Sequence, residues 1–145
     1  MTVLAPHLPA LVLAAGVGQL ALITASLAIP RVLRWGEETQ KLRPLTRQVF
    51  WTYAVYIWST NLAFGLVALR PGWLLDRSPL AACVTGFITV YWVGRVLIQF
   101  FYFDRSDAPP GPLVRFAEAG LVSLFVYLSL VYGTALLFNL GVVGS

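Results

Sequence analysis

The sequence predicts an all-α membrane protein in which four transmembrane helices form an up-down-up-down bundle. Three observations predict this fold class. Hydrophobic residues make up 59% of the 145-residue chain and charged residues 11%, which is about half the charged share of a soluble domain. The charges are concentrated in short polar stretches that separate long apolar runs. Those runs are continuous and do not alternate with a two-residue period, so they are typical of membrane helices and not of a β-barrel.

Four apolar runs are long enough to cross the hydrocarbon core of a bilayer, which requires roughly 20 residues of helix. Proline and glycine residues interrupt helices, and Pro30, Pro71 and Pro109 follow the first three runs. We therefore predict one transmembrane domain over residues 1–145, with a polar loop at residues 30–47 between the first two spans. The predicted spans cover residues 8–29, 48–69, 80–103 and 113–140.

The distribution of Lys and Arg predicts the orientation of the bundle. Five basic residues lie in the loop at residues 30–47, and Arg105 and Arg115 flank the third connection. The second connection carries Arg70 and Arg77. By the positive-inside rule, seven basic residues against two place both termini outside, which for a bacterial inner (cytoplasmic) membrane is the periplasm. This topology accounts for the net charge of +4, so the charge does not predict nucleic-acid binding.

The loop at residues 30–47 is predicted to be cytoplasmic and has two interpretations. The first is a solvated linker whose arginines fix the topology. The second is a docking surface, in which Trp35, Leu42 and Leu45 lie at the headgroup level while the basic residues contact lipid phosphates or an acidic patch of a partner. The linker is favoured, because two glutamates dilute the positive charge of the loop.

Polar residues inside the predicted spans are the candidates for a functional site, because each is costly in lipid and tends to face protein or a wet cavity. Antiparallel neighbours would bring Arg95 of the third span and Glu118 of the fourth to similar depths. We predict an ion pair between them, formed directly or through Gln99 or a water; the alternative is that Arg95 snorkels to the headgroups. Helical spacing adds two tyrosines to these faces. The predicted polar cluster consists of Tyr91, Arg95, Gln99, Glu118 and Tyr132.

Away from their ends, the first two spans each carry one amide, Gln19 and Asn61, on a stripe of mostly small residues. Small residues let helix backbones approach closely, and a buried amide can bridge two helices. We therefore predict that Gln19 and Asn61 serve helix packing; the alternative is that they line a cavity near mid-membrane.

Aromatic residues make up 14% of the chain, and those near the ends of the spans are typical of interfacial anchors. The alternative is an aromatic-walled pocket for a bound lipid, quinone or carotenoid, in which the residues of the polar cluster would bind the polar groups of the ligand. No cofactor is predicted from the residues themselves.

Residue types that carry catalysis or bind metals are scarce. His7 is the single histidine and Cys83 the single cysteine, which excludes bis-histidine haem ligation, an intrachain disulfide and a CxxC redox pair within one chain. The sequence has no glycine-rich phosphate loop and no HExxH or GxSxG motif. We predict no catalytic residue and no metal site, which favours a non-enzyme while leaving an enzyme that uses Glu118 as a buried acid or base open.

Three stretches resemble parts of uncharacterised small bacterial four-helix integral membrane proteins. They are residues 48–56 (QVFWTYAVY), 94–104 (GRVLIQFFYFD) and 127–133 (YLSLVYG). The resemblance covers the last three spans and implies a four-helix membrane fold, but it implies no assigned activity. A small multidrug exporter would carry a glutamate in its first span, where this chain has Gln19.

Two classes of function remain open on these grounds. The first is a non-catalytic accessory or scaffold subunit, which uses its small-residue and aromatic faces to bind a larger membrane-protein complex or a second copy of itself. The second is a carrier or enzyme for a lipid-soluble or anionic substrate, in which Arg95 binds a carboxylate or phosphate. The first is favoured because it needs no special chemistry.

Overall fold

A computed structural model describes residues 5–104, 106 and 109–144 of the chain. The described residues form helices and turns with no strand among them, which confirms the prediction of an all-helical protein. A 3-10 turn at Ala5–His7 precedes seven helices. They are α1 (Leu8–Ser26), α2 (Ile29–Val32), α3 (Trp35–Gln40), α4 (Pro44–Ala68), α5 (Pro71–Leu74), α6 (Pro79–Phe101) and α7 (Pro112–Asn139).

Three stretches of helix are long and apolar enough to cross a membrane: Ala5–Val32, Pro79–Phe101 and Pro112–Asn139. They support the prediction of a membrane protein. The predicted second span corresponds to α4, which is 25 residues long but is not among these three. Residues 44–61 of this helix contain Trp, Tyr, Thr and Ser as well as Arg47 and Gln48, and these residues lower its mean hydropathy.

Proline lies in the first turn of α1, α2, α4, α5, α6 and α7. Helix α1 ends at Ser26, before Pro30, and Pro30 itself lies in the first turn of the short helix α2, which ends at Val32. The first turn of a helix tolerates proline because its N–H groups have no intrahelical partner there, so proline begins these helices.

Helices α1 and α4 pack through small residues. A Cβ atom added to Gly16 would lie 3.0 Å from the Ala68 Cβ and 3.1 Å from the Gly65 carbonyl oxygen. Farther along α1, the side chain of Leu20 would lie 3.1 Å from a Cβ on Gly65. Because Gly16 contacts Ala68 and the later residue Leu20 contacts the earlier residue Gly65, α1 and α4 run antiparallel. Their backbones approach closely because Gly16 and Gly65 carry no side chain.

The other helix contacts form one connected core. Helices α6 and α7 pack through buried apolar side chains, and α1 joins α7 where the Tyr127 hydroxyl donates to the Leu11 carbonyl over 2.9 Å. Helices α4 and α6 meet through rings, with Phe64 edge-on to Phe87 and to Tyr91 at centroid distances of 5.9 and 5.3 Å. The core of α6 and α7 contains Ile88, Trp92, Phe125, Leu128, Val131 and Ala135.

The connection between α4 and α6 is tied to the end of α7 by Asn139. Its Nδ2 donates to the Leu74 carbonyl over 2.7 Å, and its Oδ1 accepts from the Arg77 backbone N–H over 3.1 Å. Helix α6 then starts at a capping serine, since the Ser78 hydroxyl accepts from the Ala81 N–H. Hydrogen bonds from the Ser78 hydroxyl and backbone N–H lower the pKa of the Asp76 carboxyl.

The loop predicted at residues 30–47 contains α2, α3 and the first turn of α4. Trp35 does not extend away from the helices: its ring lies edge-on to Phe50 at 5.0 Å and to Trp51 at 6.1 Å. At the end of α3, the Nζ of the C-cap residue Lys41 makes an exposed ion pair with Glu38 at 3.0 Å. The segment is therefore folded against the start of α4 by its tryptophan.

Replacing Gly16 by Ala tests the close contact between α1 and α4. The new Cβ would contact the α4 backbone, which cannot move aside cheaply, so we expect a loss of about 1–3 kcal/mol of unfolding free energy. Gly120→Ala on α7 is the matched control, because a Cβ there meets nothing within 4 Å; it should gain up to about 1 kcal/mol from helix propensity. Reversible unfolding in mixed micelles, followed by circular dichroism, measures both. Equal effects of the two changes would contradict the close packing.

Candidate functional site

The polar residues at the end of α6 form a hydrogen-bonded chain. The Arg95 guanidinium donates to Gln99 Oε1 over 3.2 Å, and Gln99 Nε2 donates to Glu118 Oε1 over 3.1 Å. Arg95 and Gln99 are four residues apart and therefore on one face of α6, while the antiparallel α7 brings Glu118 to the same level. Among the described residues, no direct ion pair joins Arg95 to Glu118. The structure thus shows the arrangement through Gln99.

Two aromatic rings complete the surroundings of Arg95. Its Cζ lies 5.0 Å from the centroid of the Phe103 ring and 4.8 Å from that of Phe125. Ring faces attract a guanidinium electrostatically, and the attraction grows where water is excluded. Arg95 is half-buried, so its charge is compensated by an amide and two rings of the protein.

Tyr91 lies one turn before Arg95 on α6, but its hydrogen bond is with α4 and not with Arg95, Gln99 or Glu118. Its hydroxyl accepts a hydrogen bond of 3.0 Å from Asn61 Nδ2, which also donates to the Ile57 carbonyl. This bond joins α4 to α6 beside the Phe64 ring. Asn61 was predicted to serve helix packing, and the structure places it between two helices.

Tyr132 is also separate from the Arg95 chain. Its position on α7 is about 21 Å from that of Glu118 along the helix axis, at 1.5 Å per residue. The Tyr132 hydroxyl donates to Gln19 Oε1, and both residues are 0% exposed. The predicted cluster of five residues is therefore two groups: Arg95, Gln99 and Glu118 at one end of α6 and α7, and the tyrosines in contacts with Gln19 and Asn61.

Three buried polar atoms have no hydrogen-bond partner among the described residues: Gln19 Nε2, Asn61 Oδ1 and Trp92 Nε1. Two are donors and one is an acceptor, and an unmade hydrogen bond at a buried atom costs roughly 1–3 kcal/mol. Gln19 and Trp92 are almost fully buried. The amides that hold the helices together thus retain unused hydrogen-bonding capacity in the interior.

A groove of about 450 Å³ lies beside the Arg95 chain, between the end of α6 and the start of α7. Its lining includes Gln99 and Glu118 together with Arg115 and the ring of Phe100. From the sequence, Arg115 was predicted only to help fix the topology. The spacing of three residues between Arg115 and Glu118 was the signal that places both on one face of α7.

The described residues contain no group of three His, Cys, Asp or Glu side chains that could hold a metal ion. Cys83 is exposed on α6. Comparisons of the chain with protein-family models, curated proteins and solved structures found no match. The functional argument therefore depends on the contacts and surfaces of the chain itself.

Replacing Gln99 by Leu tests whether this amide connects Arg95 to Glu118. The change removes two hydrogen bonds to charged groups, each worth about 1.5–3 kcal/mol, so we expect a marked loss of thermal stability. Gln48→Leu is the matched control, because Gln48 is exposed on α4. A double-mutant cycle of Arg95→Met and Glu118→Met should show coupling in the native chain and none in the Gln99→Leu background. Coupling that survives the loss of Gln99 would show that the two charges interact by another route.

Proposed function

We propose that the protein is a non-catalytic accessory subunit of a larger membrane complex, bound through the outer face of α4. The observation that supports this most strongly is the position of Tyr56 and Ser59. Tyr56 is 64% exposed, Ser59 is exposed, and neither hydroxyl makes a hydrogen bond among the described residues. Both lie near the middle of α4, where a membrane-spanning helix would hold them in the hydrocarbon core. Lipid offers no hydrogen bonds to such groups, whereas a helix of a partner does.

The outer faces of α6 and α7 carry large apolar side chains, which include Phe87, Val90, Leu97, Phe116 and Leu130. The exposed Ser123 hydroxyl on α7 donates to the Ala119 carbonyl over 2.8 Å and so needs no partner from outside. Such faces suit contact with lipid tails. Tyr53, Tyr56, Ser59 and Ala63 instead give α4 a mixed face of hydroxyls and small residues, which is typical of helix–helix contacts in membranes.

The charge next to this face favours a different protein over a second copy of the chain. Arg43 and Arg47 adjoin the start of α4, and residues 30–47 carry five basic residues against two acidic ones. Two parallel copies that met through α4 would bring these positive segments together, which is unfavourable. A partner with acidic residues at that level would relieve the repulsion.

The topology belongs to the same proposal. We infer that α1, α4, α6 and α7 all span a bacterial inner membrane as an up-down-up-down bundle, with both termini in the periplasm. The antiparallel contacts of α1 with α4 and of α6 with α7 support this arrangement, as does the excess of basic residues at residues 30–47. The resemblance to small bacterial four-helix membrane proteins predicts the same four-span topology, and membership of that group stays a prediction.

The carrier or enzyme alternative receives less support from the geometry. It required Tyr91, Arg95, Gln99, Glu118 and Tyr132 around one substrate. The tyrosines instead bond to Asn61 and Gln19, and the Arg95 charge is compensated by Gln99 and two rings.

Cysteine labelling tests the four-span topology. Gly36 and Gly72 lie in the first and second connections, and a Cβ at either meets nothing within 4 Å, so both positions accept a cysteine. In a Cys83→Ser background, a membrane-impermeant maleimide should label Gly72→Cys in intact spheroplasts and Gly36→Cys only after permeabilisation. Labelling of both from the same side would show that α4 does not cross the membrane.

Photo-crosslinking in native membranes tests the subunit proposal. A benzoylphenylalanine at Tyr56 should cross-link to one larger membrane protein, whereas the same group at Leu130, on the apolar face of α7, should not. Ala63→Trp, on the same face as Tyr56, should release the complex in native gels, and Ala117→Trp on α7 should leave it intact. Cross-linking of Tyr56 to a second copy, or a complex unaffected by Ala63→Trp, would overturn the proposal.

A further inference from the structure

The first long helical stretch ends in a turn that carries an arginine at each end. The stretch Ala5–Val32 contains 28 residues, which as a helix span about 42 Å. A bilayer is about 40–45 Å thick when its headgroup regions are included, so the stretch reaches from one headgroup region to the other. At its end the Arg34 backbone N–H donates to the Arg31 carbonyl over 3.3 Å, which closes the turn. With this stretch across the bilayer, both arginines lie at the level of the lipid phosphates.

The two guanidinium groups of this turn are available to an anion. Arg31 and Arg34 are exposed, and neither makes a hydrogen bond or an ion pair within the part of the chain that the structure describes. Glu38, one of the two glutamates of this connection, is already paired with Lys41 at 3.0 Å. That pair cancels one charge of each sign and leaves four arginines against Glu37. The connection therefore keeps an excess of positive charge that its own residues do not neutralise.

Exposed apolar side chains accompany the two arginines. Between them, Val32 is 58% and Leu33 is 44% exposed. Leu27, at the end of α1, is 59% exposed. Apolar side chains at the end of a membrane-crossing stretch suit contact with acyl chains, whereas the long arginine side chains can extend to the phosphates. The turn thus combines two cations with an apolar surface, which matches a phospholipid better than it matches a solvated linker.

Trp35 holds this turn at the membrane surface. It directly follows Arg34, and its ring packs edge-on against Phe50 and Trp51 in the second turn of α4. Tryptophan prefers the interface between headgroups and acyl chains. The Thr39 hydroxyl donates to the Trp35 carbonyl over 2.6 Å, which ties α3 to the same residue. The turn cannot move out into water without losing these ring contacts.

We propose that the turn from Arg31 to Arg34 binds an anionic phospholipid, with the phosphate on the two guanidinium groups and the acyl chains along the exposed apolar side chains. A guanidinium can donate two parallel hydrogen bonds to a phosphate, and each basic residue near an anionic membrane surface strengthens binding about fivefold. Phosphatidylethanolamine has the same phosphate, but its ammonium group would bring a positive charge to a turn that is already positive. The site precedes α3 and does not include the outer face of α4, so this proposal and the proposed subunit function can fail separately.

Lipid titration of the full chain in micelles of a neutral detergent tests the site. The probes are fluorescent phosphatidylglycerol and phosphatidylethanolamine with identical acyl chains. We expect phosphatidylglycerol to bind about tenfold more tightly. The preference should shrink between about 0.1 and 1 M salt, because the Debye length falls from about 10 to about 3 Å and exposed charges are screened. This measurement uses the native chain and does not depend on the stability of any variant.

Arg31→Gln combined with Arg34→Gln should remove the preference for phosphatidylglycerol, whereas Arg31→Lys combined with Arg34→Lys keeps both charges and should retain most of it. Arg70→Gln is the matched control, because Arg70 is exposed in the second connection and should leave the preference unchanged. Equal binding of the two lipids to the native chain would overturn the proposal in favour of an acidic protein surface. A preference that salt does not reduce, that the double glutamine variant keeps, or that Arg70→Gln abolishes would overturn it as well.

Discussion

A lipid interior supplies no hydrogen bonds, and this constraint accounts for most polar contacts between the helices. Each polar side chain within a helix must find its partner inside the protein. Gln19 meets Tyr132 between α1 and α7, Asn61 meets Tyr91 between α4 and α6, and Gln99 meets Glu118 between α6 and α7. The α1–α4 contact combines small residues with a hydrogen bond of 3.4 Å from Trp58 Nε1 to the Ile23 carbonyl. Specific contacts thus connect each long helix to two others, although apolar surface alone would not select neighbours in lipid.

The same constraint distinguishes the outer surfaces. Threonine hydroxyls on α4, such as those of Thr52 and Thr60, donate to backbone carbonyls four residues earlier, so they have a hydrogen-bond partner within their own helix. A tyrosine hydroxyl extends too far from its own backbone to do the same, and the exposed Tyr56 hydroxyl is therefore the group for which lipid is the worst environment. Helices α6 and α7 present no such group at the middle of their exposed faces. For this reason we propose the outer face of α4, and not the interior, as the surface that binds a partner.

Much of the fold was predictable from the sequence, because long apolar runs specify helices and their approximate lengths. The Arg95 chain was predictable as well: four-residue spacing puts Arg95 and Gln99 on one face, and the short connection to α7 brings Glu118 to their level. The partners of Tyr91 and Tyr132 were not predictable, since periodicity gives the face of a helix but not the helix that packs against it. The pairing of α1 with α7 depends on the arrangement of all four long helices. The short helix α2 after Pro30 was not predictable either, because proline both follows the end of one helix and lies in the first turn of the next, and the sequence alone does not distinguish the two roles.

Gln99 has a position that links the interior of the protein to its surface. Its Oε1 holds Arg95, its Nε2 holds Glu118, and it also lines the groove beside Arg115. Because one side chain makes both hydrogen bonds, a displacement of Gln99 would break the contact to Arg95 and the contact to Glu118 together. The packing of the end of α6 against the start of α7 is therefore coupled to the placement of Arg95.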